Sequence, residues 1–356
     1  VDLPSGLSAD SGEVVGPVVD ADLTVTFSVP KLCHTFPPAC ELIGELSVVD
    51  IGIPEAAIDA VEGALELITP EECAFALEPR EADTHKGSYG RVLIVAGAPG
   101  MAGAAALTAR GALRGGAGLV TVGAPDSVHE IVAGLVPEAL VRPHASDSDG
   151  GLGLAAKAGL TALAGAADVL AVGPGVGTSE ETQQLVRELV VESPIPVVLD
   201  ADGLNAFRGN AAALQQVGPP CILTPHPGEM GHLLSMTTAD VQADRLVAAR
   251  MLAERSTAIV ILKGYRSLVC DPHGSVAINP TGNPGMATGG SGDVLTGLLA
   301  ALIGQGVEPF AAARLAAFLH GEAGDIAAER VGEISLIASD IVDALPDAFS
   351  NCGLGA

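Results

Sequence analysis

The sequence predicts an α/β protein with a mostly parallel central sheet. Two observations carry this. From residue 85 onward, short apolar runs alternate with segments of helical periodicity, the pattern of strands joined by right-handed crossovers. The runs also end in glycine- and aspartate-rich junctions: Gly97-Ala98-Pro99-Gly100, Gly173-Pro174-Gly175, Asp200-Ala201-Asp202-Gly203, Pro225-His226-Pro227-Gly228-Glu229 and Lys263-Gly264. Ligands of such sheets sit beyond the carboxyl ends of the strands, so these junctions can converge on one cleft.

In chain order, residues 24–29 (TVTFSV) and 46–51 (LSVVDI) read as short strands, separated by a Pro- and Cys-bearing loop from Lys31 to Cys40. Residues 52–84 read as a proline-punctuated connector, acidic toward its end. RVLIVAG (91–97) is a buried strand, followed by a small-residue helix over about 102–114. GLVTVG (118–123), DVLAVG (168–173), PVVLDA (196–201), CILTP (221–225), AIVILKG (258–264) and SLVCD (267–271) supply further strands, and the last continues as a hairpin-like pair. Helical patterns lie near 180–192, 238–254, 292–304, 309–328 and 335–345.

The composition bounds the function. A chain of 356 residues holds two domains or one large one, and 48% hydrophobic residues with a mean hydropathy of +0.44 can bury a large core. No apolar run reaches the ~18–20 residues that span a bilayer. The start, Val1-Asp2-Leu3-Pro4, has neither the basic residues nor the apolar core of a signal peptide. It also lacks an initiator Met, so the chain is expected to begin within a longer reading frame. Seventeen basic residues against 43 acidic ones give a net charge of −26, which argues against nucleic acid and anionic membranes as partners. With only four lysines, any phosphate must be handled by backbone amides, helix ends, a few placed cations and a metal. The six cysteines form no C-x-x-C. Cys33-His34 with Cys40 lacks an evident fourth zinc ligand, and reduced thiols in a cytoplasmic protein are the expectation.

The most informative stretch is TGNPGMATGGSGDVLTG (281–297). Gly289-Gly290-Ser291-Gly292 leads into an apolar helical pattern, Val294, Leu295, Leu298, Leu299 and Leu302. Glycines let backbone N–H groups turn toward one point, and a helix N-terminus adds free donors and partial positive charge. Together they cradle an oxyanion, with Gly290, Ser291 and Gly292 as the anion hole. Asp293 at its mouth is poorly placed to bind the anion and well placed to act as base on an attacking hydroxyl. The competing reading is a glycine-rich turn whose aspartate caps a helix.

Other junctions carry two readings each. Lys263 before Gly264 either neutralises a nucleotide phosphate or is an exposed lysine at a turn. His226, held between two prolines, either meets a ligand or belongs to a proline turn opening a helix, with Glu229 favoured in its first turn by the dipole. Glu229 is also a candidate to hold magnesium through water. Asp200 and Asp202 either serve the metal or cap a helix from Gly203. His320 reads as a packed or hydrogen-bonded histidine.

The ordered motifs HKGSYG (85–90), GAPGMAGAAALTARGALRGGAGLV (97–120), GPGVG (173–177), VVLDADGLN (197–205), LTPHPGEM (223–230), LKG (262–264), NPTGN (279–283) and GGSGDVLTG (289–297) resemble the ribokinase-like superfamily. Within it they resemble ADP- or ATP-dependent NAD(P)H-hydrate dehydratase, over about 80–348. Kinases of the superfamily often carry Asn where His226 stands. The resemblance implies a three-layer sandwich with a mostly parallel sheet. It implies dehydration of (6S)-NADHX and NADPHX to NADH and NADPH, with AMP (from ADP) and phosphate released. It implies Asp293 as catalytic base and substrate contact; Ala104, Gly175 and His226 as substrate contacts; and Lys263, Gly264, Tyr265, Arg266, Ser267 and Gly292 as nucleotide contacts. Mg²⁺ anchored through water on Glu229, ADP in preference to ATP as co-substrate, a cytoplasmic location and a homo-oligomer complete it. The alternatives are a kinase of a hydroxymethyl- or hydroxyethyl-heterocycle, and a non-catalytic nucleotide-binding sensor.

DLPSGLSADSG (2–12), ADLTVTFSVPK (21–31) and VVDIGIP (48–54) resemble the carboxyl end of a second family, NAD(P)H-hydrate epimerase, as in bifunctional repair enzymes. That resemblance implies a partial Rossmann-like segment, with Asp2 as a substrate contact and Ser5 as a potassium ligand. With the early strands of that sheet missing, neither site is expected to be complete, and the Cys33–Cys40 loop departs from the family's glycine-containing form. The organisation expected is a truncated epimerase-like segment at 1–55, a linker at 56–84 and a dehydratase domain at 85–348.

Overall fold

The computed structural model describes residues 1–61, 65–74, 76–77 and 79–354. The chain divides into two compact units, Val1–Glu66 and Leu67–Ala356. The division falls inside the connector read at 56–84. Of that connector, residues 62–64, 75 and 78 lie outside the described residues. Its later part belongs to the second unit: Ile68 and Cys73 are buried in that unit's core.

In the first unit, β1 (Leu23–Phe27) and β2 (Glu45–Val49) pair in parallel, with Leu23 opposite Glu45. A small core of Leu7, Cys33, Ala39 and Ile43 holds the surrounding turns. Asp2 accepts hydrogen bonds from Lys31 Nζ (2.5 Å) and Thr26 Oγ1 (2.9 Å). The Lys31 ammonium is the main reason its carboxyl is held below the usual range. Ser5 is exposed in a turn.

The second unit is built on a ten-stranded sheet. Its strands are β3 (Glu66–Leu67, where the chain enters), β4 (Arg91–Val95), β5 (Leu119–Pro125), β6 (Leu140–His144), β7 (Val169–Val172), β8 (Val197–Leu199), β9 (Cys221–Leu223), β10 (Ile259–Leu262), β11 (Leu268–Cys270) and β12 (Val276–Ile278). Their order is β3-β12-β11-β10-β9-β8-β7-β4-β5-β6. From β10 to β6 every pairing is parallel, and β10-β11-β12 is antiparallel. Strand alternation feeds two helical layers. Val92, Ile94, Val169 and Ala171 pack in one core with the helices Ala102–Arg114, Ser291–Gly304, Pro309–Val331 and Ala338–Asn351. Val95 and Leu170 line a small gap on the other face, with Leu160 and Leu189 of the helices Lys157–Ala164 and Glu180–Val191. The result is the three-layer sandwich expected.

Two glycines bring the site-bearing helix into place. A Cβ on Gly297 would lie 1.9 Å from the Thr108 carbonyl oxygen, and one on Gly111 would lie 2.5 Å from that of Val294. Helices Ala102–Arg114 and Ser291–Gly304 therefore touch backbone to backbone.

Several elements differ from the sequence reading. The helix read over 238–254 is two, Thr238–Ala243 and Arg245–Ser256. Asp244 leaves helical geometry between them (φ −147°), and its side chain caps the second by accepting from Val247 N–H (2.9 Å). The last helix runs from Ala338 to Asn351, through Pro346, because the buried Ala344, Leu345 and Ala348 outweigh one lost backbone bond. Helices His129–Leu135 and Lys157–Ala164 and strand β6 were not anticipated. β6 (LVRPH) lies at the sheet's edge, half exposed, so Pro143 is tolerated and the apolar signal is weak.

Candidate active site

The carboxyl ends of β8, β9 and β10 and the start of helix Ser291–Gly304 deliver four charged side chains to one place. Lys263, just past β10, lies at the centre. Its Nζ donates to Asp200 Oδ1, at the end of β8, at 2.8 Å, and lies 3.8 Å from Glu229 Oε2. Asp200 is 1% exposed, and its other oxygen accepts from Thr296 Oγ1 at 2.7 Å. Burial opposes the charge on Lys263, but Asp200, Glu229 and Asp293 outweigh it and hold its pKa above the ordinary value.

Asp293 sits in the first turn of the helix. Burial pushes its pKa up to about 7; the charge of Asp200 adds to this and that of Lys263 opposes it. A carboxylate poised near neutrality is what proton abstraction requires. The preceding loop depends on glycine at one point. Gly290 caps the helix at φ +91°, and a Cβ there would lie 2.4 Å from Leu107 Cδ1. A Cβ on Gly292 would lie 3.2 Å from Lys263 Nζ, so the ammonium stands beside the helix's first amides. The helix's first turn, the Lys263 ammonium and the buried Asp293 carboxyl thus stand close together, a combination suited to an oxyanion. The Ser291 amide approaches the Thr288 carbonyl at 3.5 Å, which leaves it a weak intramolecular bond. His320 Nε2 bonds the Ser291 carbonyl at 2.9 Å. Burial lowers the His320 pKa to about 4, so it is a neutral, hydrogen-bonded support for the loop, as its sequence context suggested.

His226 has the structural role that was one of its two readings. It is the N-cap of helix Pro227–Leu234. Nδ1 accepts from the amides of Gly228 (2.9 Å) and Glu229 (3.3 Å), and Glu229 Oε2 accepts from the His226 amide (2.8 Å). Because Nδ1 accepts, Nε2 carries the proton in the neutral ring. The ring is still 56% exposed, and its Nε2 lies 3.5 Å from Glu229 Oε1. Glu229 is only 8% exposed and held between that cap and Lys263.

Ala104 and Gly175 meet closely. Gly175 has φ +60°, and a Cβ there would lie 3.1 Å from Ala104 Cβ and 2.8 Å from Met101 Cβ. Asp202 ties this loop down by accepting from the Gly177 amide at 3.1 Å. Neither Asp200 nor Asp202 caps helix Asp202–Asn205 from its N-cap position, which is held by Ala201.

The turn from Lys263 to Ser267 is stiffened from behind. Ser267 Oγ donates to the Gly264 carbonyl (2.9 Å), and Arg266 Nη1 donates to the Pro280 carbonyl (2.8 Å). Tyr265 is 52% exposed. Sequence reasoning missed Arg245, whose guanidinium donates to the carbonyls of Leu262 (3.2 Å) and Tyr265. Thr296 was likewise missed; its i+3 spacing from Asp293 was the available signal. Two recognised motifs lie outside this cluster. HKGSYG precedes β4, at the amino ends of the strands. NPTGN is a turn latched to helix Pro309–Val331: Asn279 Nδ2 donates to the Ala317 carbonyl (3.0 Å), and Asp325 accepts from Gly282 and Asn283. Among the described residues, no three ligating side chains converge to cage a metal ion, at Cys33–Cys40 or elsewhere. No helix among them is long and apolar enough to cross a membrane.

Comparison with known proteins gives concordant matches. The family described as NAD(P)H-hydrate dehydratase matches residues 92–347, and that described as YjeF-related protein N-terminus matches residues 1–33. The bifunctional NAD(P)H-hydrate repair enzyme Nnr of Moorella thermoacetica is 46% identical over 351 residues, covering 99% of this chain and 66% of that protein. The Escherichia coli protein of the same name is 35% identical, covering 97% of this chain and 64% of that protein. The chain thus spans just under two thirds of the length of these relatives. Among solved structures, the ADP/ATP-dependent NAD(P)H-hydrate dehydratase of Bacillus subtilis, co-crystallised with ATP and Mg²⁺, superposes with a TM-score of 0.69 at 30% identity. It covers 81% of this chain and 99% of that one.

Proposed function

Since this chain belongs to the NAD(P)H-hydrate dehydratase family, we propose that it restores NADH and NADPH from their (6S) hydrates at the expense of an adenine nucleotide. The observation that carries this is Asp293: a buried carboxyl with a pKa raised to about 7, in the first turn of a helix entered through Gly290 and near the lysine held by Asp200. In the proposed reaction Asp293 takes the proton of the C6 hydroxyl, whose oxygen attacks the terminal phosphoryl group of ADP. AMP leaves. The amides of Gly290, Ser291 and Gly292, with Lys263, stabilise charge on the phosphoryl group in transit. The C6–O bond then breaks as the ring nitrogen's electron pair forms an iminium and phosphate departs, and loss of a C5 proton to the departing phosphate or water leaves the C5–C6 double bond of the dihydropyridine. Direct loss of hydroxide would be far slower, since phosphate is the better leaving group.

Ala104, Gly175 and the Nε2–H of His226 form the wall assigned to the hydrate. Lys263, Gly264, Tyr265, Arg266, Ser267 and Gly292 form the nucleotide side. Mg²⁺ would be coordinated by the nucleotide phosphates, with the buried Glu229 carboxylate holding it through water rather than in a protein cage. Bound there, it neutralises phosphate charge. ADP is the preferred nucleotide in this reading. Incubation with the purified S hydrate, Mg²⁺ and ADP or ATP tests it. Recovery of the reduced ring's absorbance with stoichiometric AMP and phosphate is expected. A stable phosphorylated product would instead identify a kinase, and binding without turnover a sensor.

A further inference from the structure

The hydrogen bonds behind Lys263 begin on the helix that carries Asp293. Thr296 follows Asp293 by three residues, so both side chains lie on neighbouring positions of one face. Thr296 is 0% exposed and Asp200 1%. Thr296 Oγ1 donates to Asp200 Oδ2 (2.7 Å), and Asp200 Oδ1 accepts from Lys263 Nζ (2.8 Å). A carboxylate this buried is costly unless both oxygens are satisfied. Thr296 satisfies one, which leaves the other aimed at the ammonium. Lys263 has a competing partner, Glu229 Oε2 at 3.8 Å. The hydroxyl thus occupies Asp200 Oδ2 and links the helix of Asp293 to the ends of β8 and β10.

We propose that Thr296 and Asp200 are positioning residues, which fix the Lys263 ammonium beside the amides of the 290–292 loop at a set distance from Asp293. The consequence is that base and phosphate-facing cation move as one body. This rests on reading the cleft as a phosphoryl-transfer site.

The test is a pair of variants. Thr296→Val keeps the volume and removes the hydroxyl; Thr296→Ser keeps the hydroxyl and removes the methyl. Two readouts are taken: calorimetric binding of ADP with Mg²⁺ in the absence of hydrate, and kcat and KM for hydrate turnover. Thr296→Val is expected to weaken nucleotide binding and lower kcat by about 10-fold or more each, with KM for the hydrate little changed. Thr296→Ser is expected to restore both to within about threefold of the parent. Parent-like behaviour of the Val variant overturns the proposal. So does a Ser variant as impaired as Val, which assigns the effect to packing of the methyl group. Should the Val variant fail to fold, Asp200→Asn supplies the second arm: an amide cannot accept from both donors through two oxygens, and unchanged nucleotide binding overturns the proposal. If the functional reading itself fails, the parent chain turns over no hydrate, while nucleotide binding across the Thr296 series still reports the positioning.

Discussion

Replacing Asp293 by Asn separates what this side chain does for the reaction from what it costs the fold. The substitution keeps shape and removes the charge. Loss of a general base lowers turnover about 10²- to 10⁴-fold. The fold responds in the opposite direction. Burial and the neighbouring Asp200 raise the Asp293 pKa from 3.8 to about 7, so the ionised form is disfavoured in the native state. A group with a raised native pKa contributes stability at low pH that is lost as pH rises from the unfolded value through the native one. At about 1.4 kcal/mol per unit, the window between 3.8 and about 7 corresponds to an upper bound of roughly 4 kcal/mol. Asp293→Asn should therefore gain on the parent across that window, by a few kcal/mol at pH 7–8 and by little near pH 4. Urea denaturation at several pH values measures this, and turnover across the same range measures the rest. In the parent, kcat/KM should fall as pH drops below about 7, as the base takes up its proton. Nucleotide binding should persist in the Asn variant, since one negative charge beside the phosphates is gone. Parent-like turnover in the Asn variant refutes the catalytic role. A stability difference that does not vary with pH refutes the account of its environment.

His226 calls for two substitutions, because its ring caps a helix and is also assigned to the hydrate in the proposed function. His226→Ala removes the acceptor for the Gly228 and Glu229 amides and should cost about 0.5–2 kcal/mol of stability, whereas His226→Asn keeps a capping oxygen. If Nε2–H contacts the hydrate, both variants should bind it about 10- to 150-fold more weakly. An Asn variant that binds hydrate like the parent would confine His226 to its capping role. Gly297→Ala should destabilise the protein by about 1–3 kcal/mol, because its Cβ meets the Thr108 carbonyl at 1.9 Å. A denaturation midpoint unchanged from the parent would show that the two helices part freely.

Much of the architecture was written locally. Apolar runs such as RVLIV and VLAV, buried on both faces, mark interior parallel strands, and helix Ala102–Arg114 was legible from its small residues. The glycine run before Asp293 announced a helix start, because only a residue without Cβ readily accepts the left-handed conformation and close contacts found at Gly290. Edge elements were less legible: β6 is half exposed and carries a proline, and Asp244 breaks a helix without a glycine or proline to announce it.

What the sequence determined by itself was the layered α/β fold, the junctions where chemistry gathers, and Asp293, Lys263, His226 and Glu229 as candidates. Only the tertiary structure decided their partners. Lys263 reaches Asp200 across 63 residues of chain, and Thr296 reaches it across 96. Those bonds depend on the order and register of parallel strands, which periodicity along the chain does not encode. The same holds for the Asp293 carboxyl. Its shift toward neutrality comes from burial and from charges delivered by other strands, so it exists only once the sheet has brought them together.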